Sequence, residues 1–124
     1  MLFRSTLGIV TRAVLRLHPA PLSTNTALLA LDSFGAVQAL FVELGQKLGA
    51  GLTAFEVMWP SFYEPLAVHS GRHTPPLPGG HSHYVLLEAS GTDPETDAAR
   101  FETVLGGCLE SGLIVDAAIA ASGS

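Results

Sequence analysis

Only one cysteine, Cys108, stands among the 124 residues. A single thiol excludes an internal disulfide and a cysteine-ligated zinc centre. Cations are scarce as well: six Lys and Arg against eleven Asp and Glu leave a net charge of −5. A nucleic-acid surface needs the opposite balance, because Lys and Arg on phosphates supply most of the affinity. No apolar run approaches the roughly 18 residues that span a bilayer. The longest candidates are interrupted by Asp32, Glu43 and Asp116, so no transmembrane segment is expected. Charged residues make up 14% and hydrophobic residues 48%, which excludes disorder by composition. A chain of this length buries about two thirds of its unfolded surface. That suffices for one domain with an ordinary core and no staples.

Acids are also missing from the start. The first is Asp32, while Arg4, Arg12 and Arg16 precede it. Such a start can imitate a mitochondrial transit peptide. Residues 8–17, GIVTRAVLRL, offer another reading. Thr11, Ala13, Leu15 and Leu17 fall on one face and Arg12 and Arg16 on the other, the alternation of a half-buried strand. Pro19 and Pro21 then stop regular structure, since neither has an N–H to give. A domain boundary is placed there.

Beyond that boundary the pattern becomes regular. Residues 25–31 read as a short buried strand, and Asp32-Ser33 offers a helix cap. Phe34, Val37, Phe41, Leu44 and Leu48 follow at helical spacing and predict one apolar stripe, stopped by Gly49 and Gly51. Residues 52–59 read as a strand ended by Pro60, which suits the first turn of a short helix over 60–70. There Phe62, Leu66 and His69 share a face. Residues 71–82 carry three prolines and three glycines and form a loop. Residues 83–89 are a third strand. Thr92 and Asp93 are alternative caps for a second long helix, with Ala98, Phe101, Leu105 and Cys108 as its stripe. Gly112 ends it, and residues 113–121 form the last strand.

The order β-α-β-β-α-β, with one stripe per helix, predicts an α+β ferredoxin-like plait. Its antiparallel sheet has both helices on one face. The other face is then uncovered. Strands 25–31 and 113–121 carry few polar residues, so that face wants a partner, and a homodimer through it is one candidate.

Several segments resemble a known family. Thr6-Leu7-Gly8-Ile9-Val10-Thr11 matches the end of the flavin domain in FAD-linked oxidases of the vanillyl-alcohol oxidase superfamily. LTAFEVMW resembles the "S-A-F-E-F-M" strand of their D-2-hydroxyacid dehydrogenase branch. HYVLLEASGTDPETDAARFE resembles its "Y-V-L-I-E-x-S-G-S" strand and the helix after it. GLIVDAAIAAS resembles the strand that ends the repeat. The resemblance implies three parts: residues 1–18 as the terminal piece of an FAD-binding domain, residues 19–24 as a linker, and residues 25–124 as an incomplete cap domain. It implies an oxidoreductase passing hydride from a 2-hydroxy acid to FAD, with the rest of the flavoenzyme as partner. It also implies a cytoplasmic protein, or a mitochondrial one in a eukaryote. The family's metal and substrate motif lies beyond the position of Ser124, so the chain alone is expected to be inactive, with no catalytic residue of its own. Two departures stand out. Leu2-Phe3-Arg4-Ser5 replaces the usual Gly-Ser-Glu-Gly, and Trp59-Pro60 stands where an acid commonly follows the Met.

The resemblance makes Gly8, Ile9 and Val10 the cofactor-contacting residues, since glycine lets backbone approach a ligand. The other candidates come from the residues themselves. His81 and His83 have the spacing that puts two rings on one side of a strand, but two ligands are too few, and no metal site is assigned. Cys108 reads as a core thiol, because no base is visible beside it. Glu56 reads as a solvent-side carboxylate that could face substrate in an intact enzyme. Asp93, Glu95, Asp97 and Glu102 suit a helix N-terminus, where the macrodipole favours anions. Trp59, Phe62 and Tyr63 are either a docking patch or core. The rival to the flavoenzyme reading is a free-standing ferredoxin-like module for small-ligand binding or oligomerisation.

Overall fold

The computed structural model describes residues 11–17, 19–68 and 74–120. Four strands and two long helices make the body: β1 (Ser23–Leu31), α1 (Phe34–Leu48), β2 (Leu52–Met58), β3 (His83–Gly91), α3 (Pro94–Glu110) and β4 (Asp116–Ile119). A short α2 (Pro60–Tyr63) runs into a single π-turn, Glu64–Val68. The sheet order is β2-β3-β1-β4, and every neighbouring pair is antiparallel. Each helix-linked strand pair is therefore separated by one strand, as the plait requires.

β1 is central because its sequence permits burial on both sides. Ala27, Leu29 and Leu31 point into the helix-side core, while Leu28 and Ala30 join a second cluster on the opposite face. β3 does the same with Val85 and Leu87 on one side and Tyr84 on the other. A continuous apolar run of this length is the pattern of a strand buried on both faces.

Local chemistry sets the helix ends. Ser33 is the N-cap of α1, its Oγ accepting from the Ala36 N–H at 3.1 Å. Gly49 ends α1 at φ 56°, a conformation that costs glycine little. Of the two candidate caps for α3, Asp93 is the one used. It accepts from the Thr96 N–H at 3.3 Å and puts Pro94 in the first turn. Its carboxyl is held below the ordinary range, first by the Thr96 hydroxyl and then by the Thr96 N–H. Asp97 ties that turn to the sheet by accepting from Ser23 Oγ at 2.5 Å and from the Asp93 N–H at 2.9 Å. A Cβ on Gly91 would run into the Asp97 carboxylate, so a larger residue there would have to push that side chain off Ser23.

Three expectations are corrected. The buried stripe of α1 is Val37, Leu40, Leu44 and Leu48, not one through Phe34 and Phe41. Phe41 leans over the edge strand β2, where its ring meets Phe55 at 5.1 Å. Among the described residues no strand lies beyond that edge, and Phe41 stays 54% exposed. The last strand is shorter than 113–121, because Leu113 and Ile114 donate their N–H groups to the Cys108 carbonyl and close the end of α3. Ile114 drops into the core instead. Residues 11–17 form no strand, and Val14, Leu15 and Leu17 are exposed. Among the described residues nothing pairs with that segment, and alternation alone cannot hold a strand without a neighbour's hydrogen bonds.

The corrected phase of α1 is testable by chemical denaturation. Leu40→Ala should cost about 2–5 kcal/mol, and Phe41→Ala about 1 kcal/mol, since Phe41 is only half-buried. The reverse order would restore the stripe read from spacing. Cys108 is 2% exposed and burial raises its thiol pKa. A disulfide reagent should therefore find no thiol in the native chain and one after denaturation.

Candidate functional site

The face of the sheet opposite α1 and α3 is not bare, contrary to expectation. Part of it is covered by α2, the π-turn and the Pro-rich segment 74–82. The reason lies in two tyrosines. Pro75, Pro76 and Pro78 have no N–H, so this segment cannot add a ladder to the sheet. Tyr63 and Tyr84 supply its partners instead. Their rings stack at 3.9 Å between centroids. Tyr63 OH donates to the Leu77 carbonyl at 2.8 Å and accepts from the Leu77 N–H at 3.2 Å. Tyr84 OH donates to the Pro78 carbonyl at 2.9 Å and accepts from the His81 N–H at 3.4 Å. Glu64 Oε1 accepts from the Gly80 N–H at 2.9 Å, where φ is 99°. Leu77 is thereby pinned into the apolar cluster of that face. Together these contacts form a fixed strap across the sheet.

Beside the strap the sheet remains open. A groove of about 340 Å³ is lined by Thr26, Leu28, Pro76, Leu86, Ala118 and Ile119. Its lining holds no carboxylate, but three lie on the same face of the sheet. In the strand register Glu56 lies opposite Leu86, Glu88 opposite Thr26, and Asp116 opposite Ala30. Opposed residues in a ladder share a face, so all three belong to the groove side. Glu88 is held by the Thr53 hydroxyl at 2.9 Å, while Glu56 is exposed. The described cations of the domain body, Lys47 and Arg100, both sit in the helix layer. Lys47 pairs with Glu43 at 2.8 Å, and Arg100 donates to the Lys47 carbonyl.

The other candidate residues disperse. His81 and His83 do not share one side: the strand begins only at His83, and His81 precedes it in the strap. The His81 ring packs edge-on to Tyr84, whereas His83 lies between Phe34 and Trp59 at 5.7 and 5.8 Å. Among the described residues no three His, Cys, Asp or Glu side chains converge as metal ligands. The aromatic trio splits too. Tyr63 is core, while Trp59 and Phe62 are exposed. Cys108 is buried in the helix-side core, where burial outweighs the opposing pull of Lys47 on its thiol. Gly8, Ile9 and Val10 lie outside the described residues.

The described residues do not fit the pyrophosphate of a dinucleotide. A phosphate needs free N–H groups at a helix N-terminus or converging cations. The α1 terminus is capped by Ser33, and that of α3 by Asp93 with Glu95 and Asp97 in its first turn. Among the described residues a dinucleotide pyrophosphate therefore finds no cradle at either long helix.

A family model described as "FAD linked oxidases, C-terminal domain" matches residues 20–124. The chain belongs to this family of C-terminal domains. Similar proteins include the mitochondrial D-2-hydroxyglutarate dehydrogenase of Arabidopsis thaliana, 32% identical over 92% of this chain and 20% of that protein. The probable mitochondrial D-2-hydroxyglutarate dehydrogenase of Oryza sativa subsp. indica is 38% identical over 92% of this chain and 21% of its own length. The D-2-hydroxyglutarate dehydrogenase of Xanthomonas citri pv. viticola is 35% identical over 94% and 24%. The chain thus spans about a fifth to a quarter of the curated relatives it matches. As a member of the FAD linked oxidase C-terminal family, it supplies a four-stranded antiparallel sheet, helices on one face, and an open groove on the other. No described helix is long and apolar enough to cross a membrane.

The strap carries its own test. Burial pushes the Tyr84 phenol above its ordinary pKa of 10.0. Folding therefore favours the neutral phenol, and that contribution is complete below pH 10 and lost as pH rises through the raised value. Urea midpoints should fall above about pH 10. Tyr84→Phe should remove part of that fall and cost about 1 kcal/mol at neutral pH through the lost bond to Pro78.

Proposed function

We propose that residues 25–124 are the ferredoxin-like part of the cap domain of an FAD-dependent dehydrogenase acting on 2-hydroxy acids. In this reading residues 1–18 end the flavin-binding domain, with Gly8, Ile9 and Val10 against the cofactor, and residues 19–24 are the linker between the two. The observation that carries the reading is the groove beside the Tyr63–Tyr84 strap. It is an apolar sheet face left open in a domain whose relatives are four to five times longer. A plait that served only itself would cover or polarise that face.

The chemistry divides accordingly. Oxidation of a 2-hydroxy acid moves hydride from the carbinol carbon to flavin and releases the hydroxyl proton, leaving a 2-oxo acid. The substrate is an anion. Glu56, Glu88 and Asp116 repel anions, so the cations that bind its carboxylate come from outside the described residues. This domain's share is to cover the reacting centre and exclude water, which strengthens every electrostatic contact inside. Relatives named mitochondrial in plants and cattle support the mitochondrion in a eukaryote; in a bacterium, the source of another relative, the reading is the cytoplasm.

The decisive experiment is a transplant. Residues 20–124 replace the matching stretch of the Xanthomonas citri enzyme, and flavin content and D-2-hydroxyglutarate oxidation are measured. The hybrid should retain flavin and turn over, while the 124-residue chain alone should be colourless and inactive. Stoichiometric flavin and turnover in the isolated chain would contradict the reading. So would a folded hybrid without flavin.

A further inference from the structure

We infer that the chain pairs with a second copy of itself through the outer flank of α1, the two helices running antiparallel so that Phe34 of each copy covers Gly45 of the other. The inference goes beyond the cap reading and does not depend on it.

A helix at a water-facing surface carries charged residues opposite its buried stripe, and one that is apolar all round is buried. In α1 only Glu43 and Lys47 are charged. They pair with each other and stand on the side of α3, where Lys47 Nζ approaches Gly107. The opposite flank, beside β2, is formed at helical spacing by Phe34, Gln38, Phe41, Val42 and Gly45. Phe34, Phe41 and Val42 are 49%, 54% and 58% exposed. α3 shows the contrast, since Glu95, Glu102 and Glu110 are on its water side. β2 is the edge of the sheet, so among the described residues nothing lies outside the α1 flank.

Shape and charge together name the occupant. At one end of the flank Phe34 stands out, close to His83 and Trp59. At the other end lies an open cleft of about 450 Å³, lined by Phe41, Gly45, Gly49, Leu52 and Phe55. A Cβ at Gly45 would meet nothing within 4 Å. The rise of the helix puts Phe34 and Gly45 about 16 Å apart along its axis. A two-fold axis midway between them, at Ala39 and Leu40, turns the helix end for end. Each projecting ring then lies over the cleft of the other copy. Such a match of one surface to itself is what an isologous contact requires. Charge agrees. On a chain of net charge −5, this flank sets no like charges against each other, whereas the groove side carries Glu56, Glu88 and Asp116 and would.

Sedimentation equilibrium of the 124-residue chain tests the inference, with folding checked by circular dichroism. The expected result is a dimer that salt does not weaken, since no ion pair holds it. Gly45→Glu improves helix propensity and keeps the monomer folded, but it buries an unpaired charge twice in the contact. It should weaken the dimer roughly tenfold or more. Gly106→Glu makes the same change at an equally open position of α3 and should leave the dimer intact. A photo-crosslinking amino acid at position 34 should attach to the segment around Gly45 of the second copy, as a mixture of isotopically light and heavy chains would show. A dimer that Gly45→Glu leaves intact and Leu86→Asp dissolves would move the contact to the groove face and overturn the inference. So would a chain that stays monomeric at roughly 0.1 mM, or a crosslink from position 34 that reaches only its own chain.

Discussion

The structure depends on two strands that are apolar on both sides. β1 and β3 lie at the centre of the sheet, and their alternating side chains all need cover. One layer of two helices can cover only one face. The other face is the problem the rest of the molecule answers, first with the strap and then with whatever reaches the groove. Without Leu28, Ala30, Tyr84 and Leu86 on that side, the Pro-rich segment would have nothing to rest on.

The strap shows how a segment unable to form a ladder can still be fixed. Its prolines remove the donors a strand would use, and two stacked phenols replace them with side-chain bonds to Leu77 and Pro78. Both hydroxyls are buried and both are satisfied, which is the condition under which buried polar groups contribute to a unique fold. A wall held this way is tied to the sheet side by both phenols. It forms one border of the groove, and the carboxylates of β2, β3 and β4 lie on the same face of the sheet.

Much of this was legible in the residues. The element order, the glycine stops at Gly49 and Gly112 and the plait follow from spacing, while the caps were narrowed only to Asp32-Ser33 and to Thr92 or Asp93, of which Ser33 and Asp93 are used. The family followed from quoted segments such as LTAFEVMW and HYVLLEASG, and the match to residues 20–124 agrees with it. The phase of α1 did not follow, because stripes through Leu40 and through Phe41 share Val37, Leu44 and Leu48. Only the position of the sheet edge separates them. The strap was also hidden. A proline-rich stretch reads as loop, and nothing in Tyr63 or Tyr84 announces a partner up to 14 residues away. The clue was a pair of tyrosines flanking a segment poor in backbone donors. The split of His81 from His83 turned on where β3 begins, a boundary that spacing does not fix.

The central claim is that the groove face is an interface with the flavin-bearing part of one polypeptide. A photo-crosslinking amino acid at position 56, in the Xanthomonas enzyme carrying residues 20–124, tests it most directly. The account predicts that illumination ties this position to the flavin-binding domain of the same molecule, with no change in the number of chains per particle. Crosslinks that join two molecules through position 56, or none above a probe placed at Glu110 on the helix side, would contradict it.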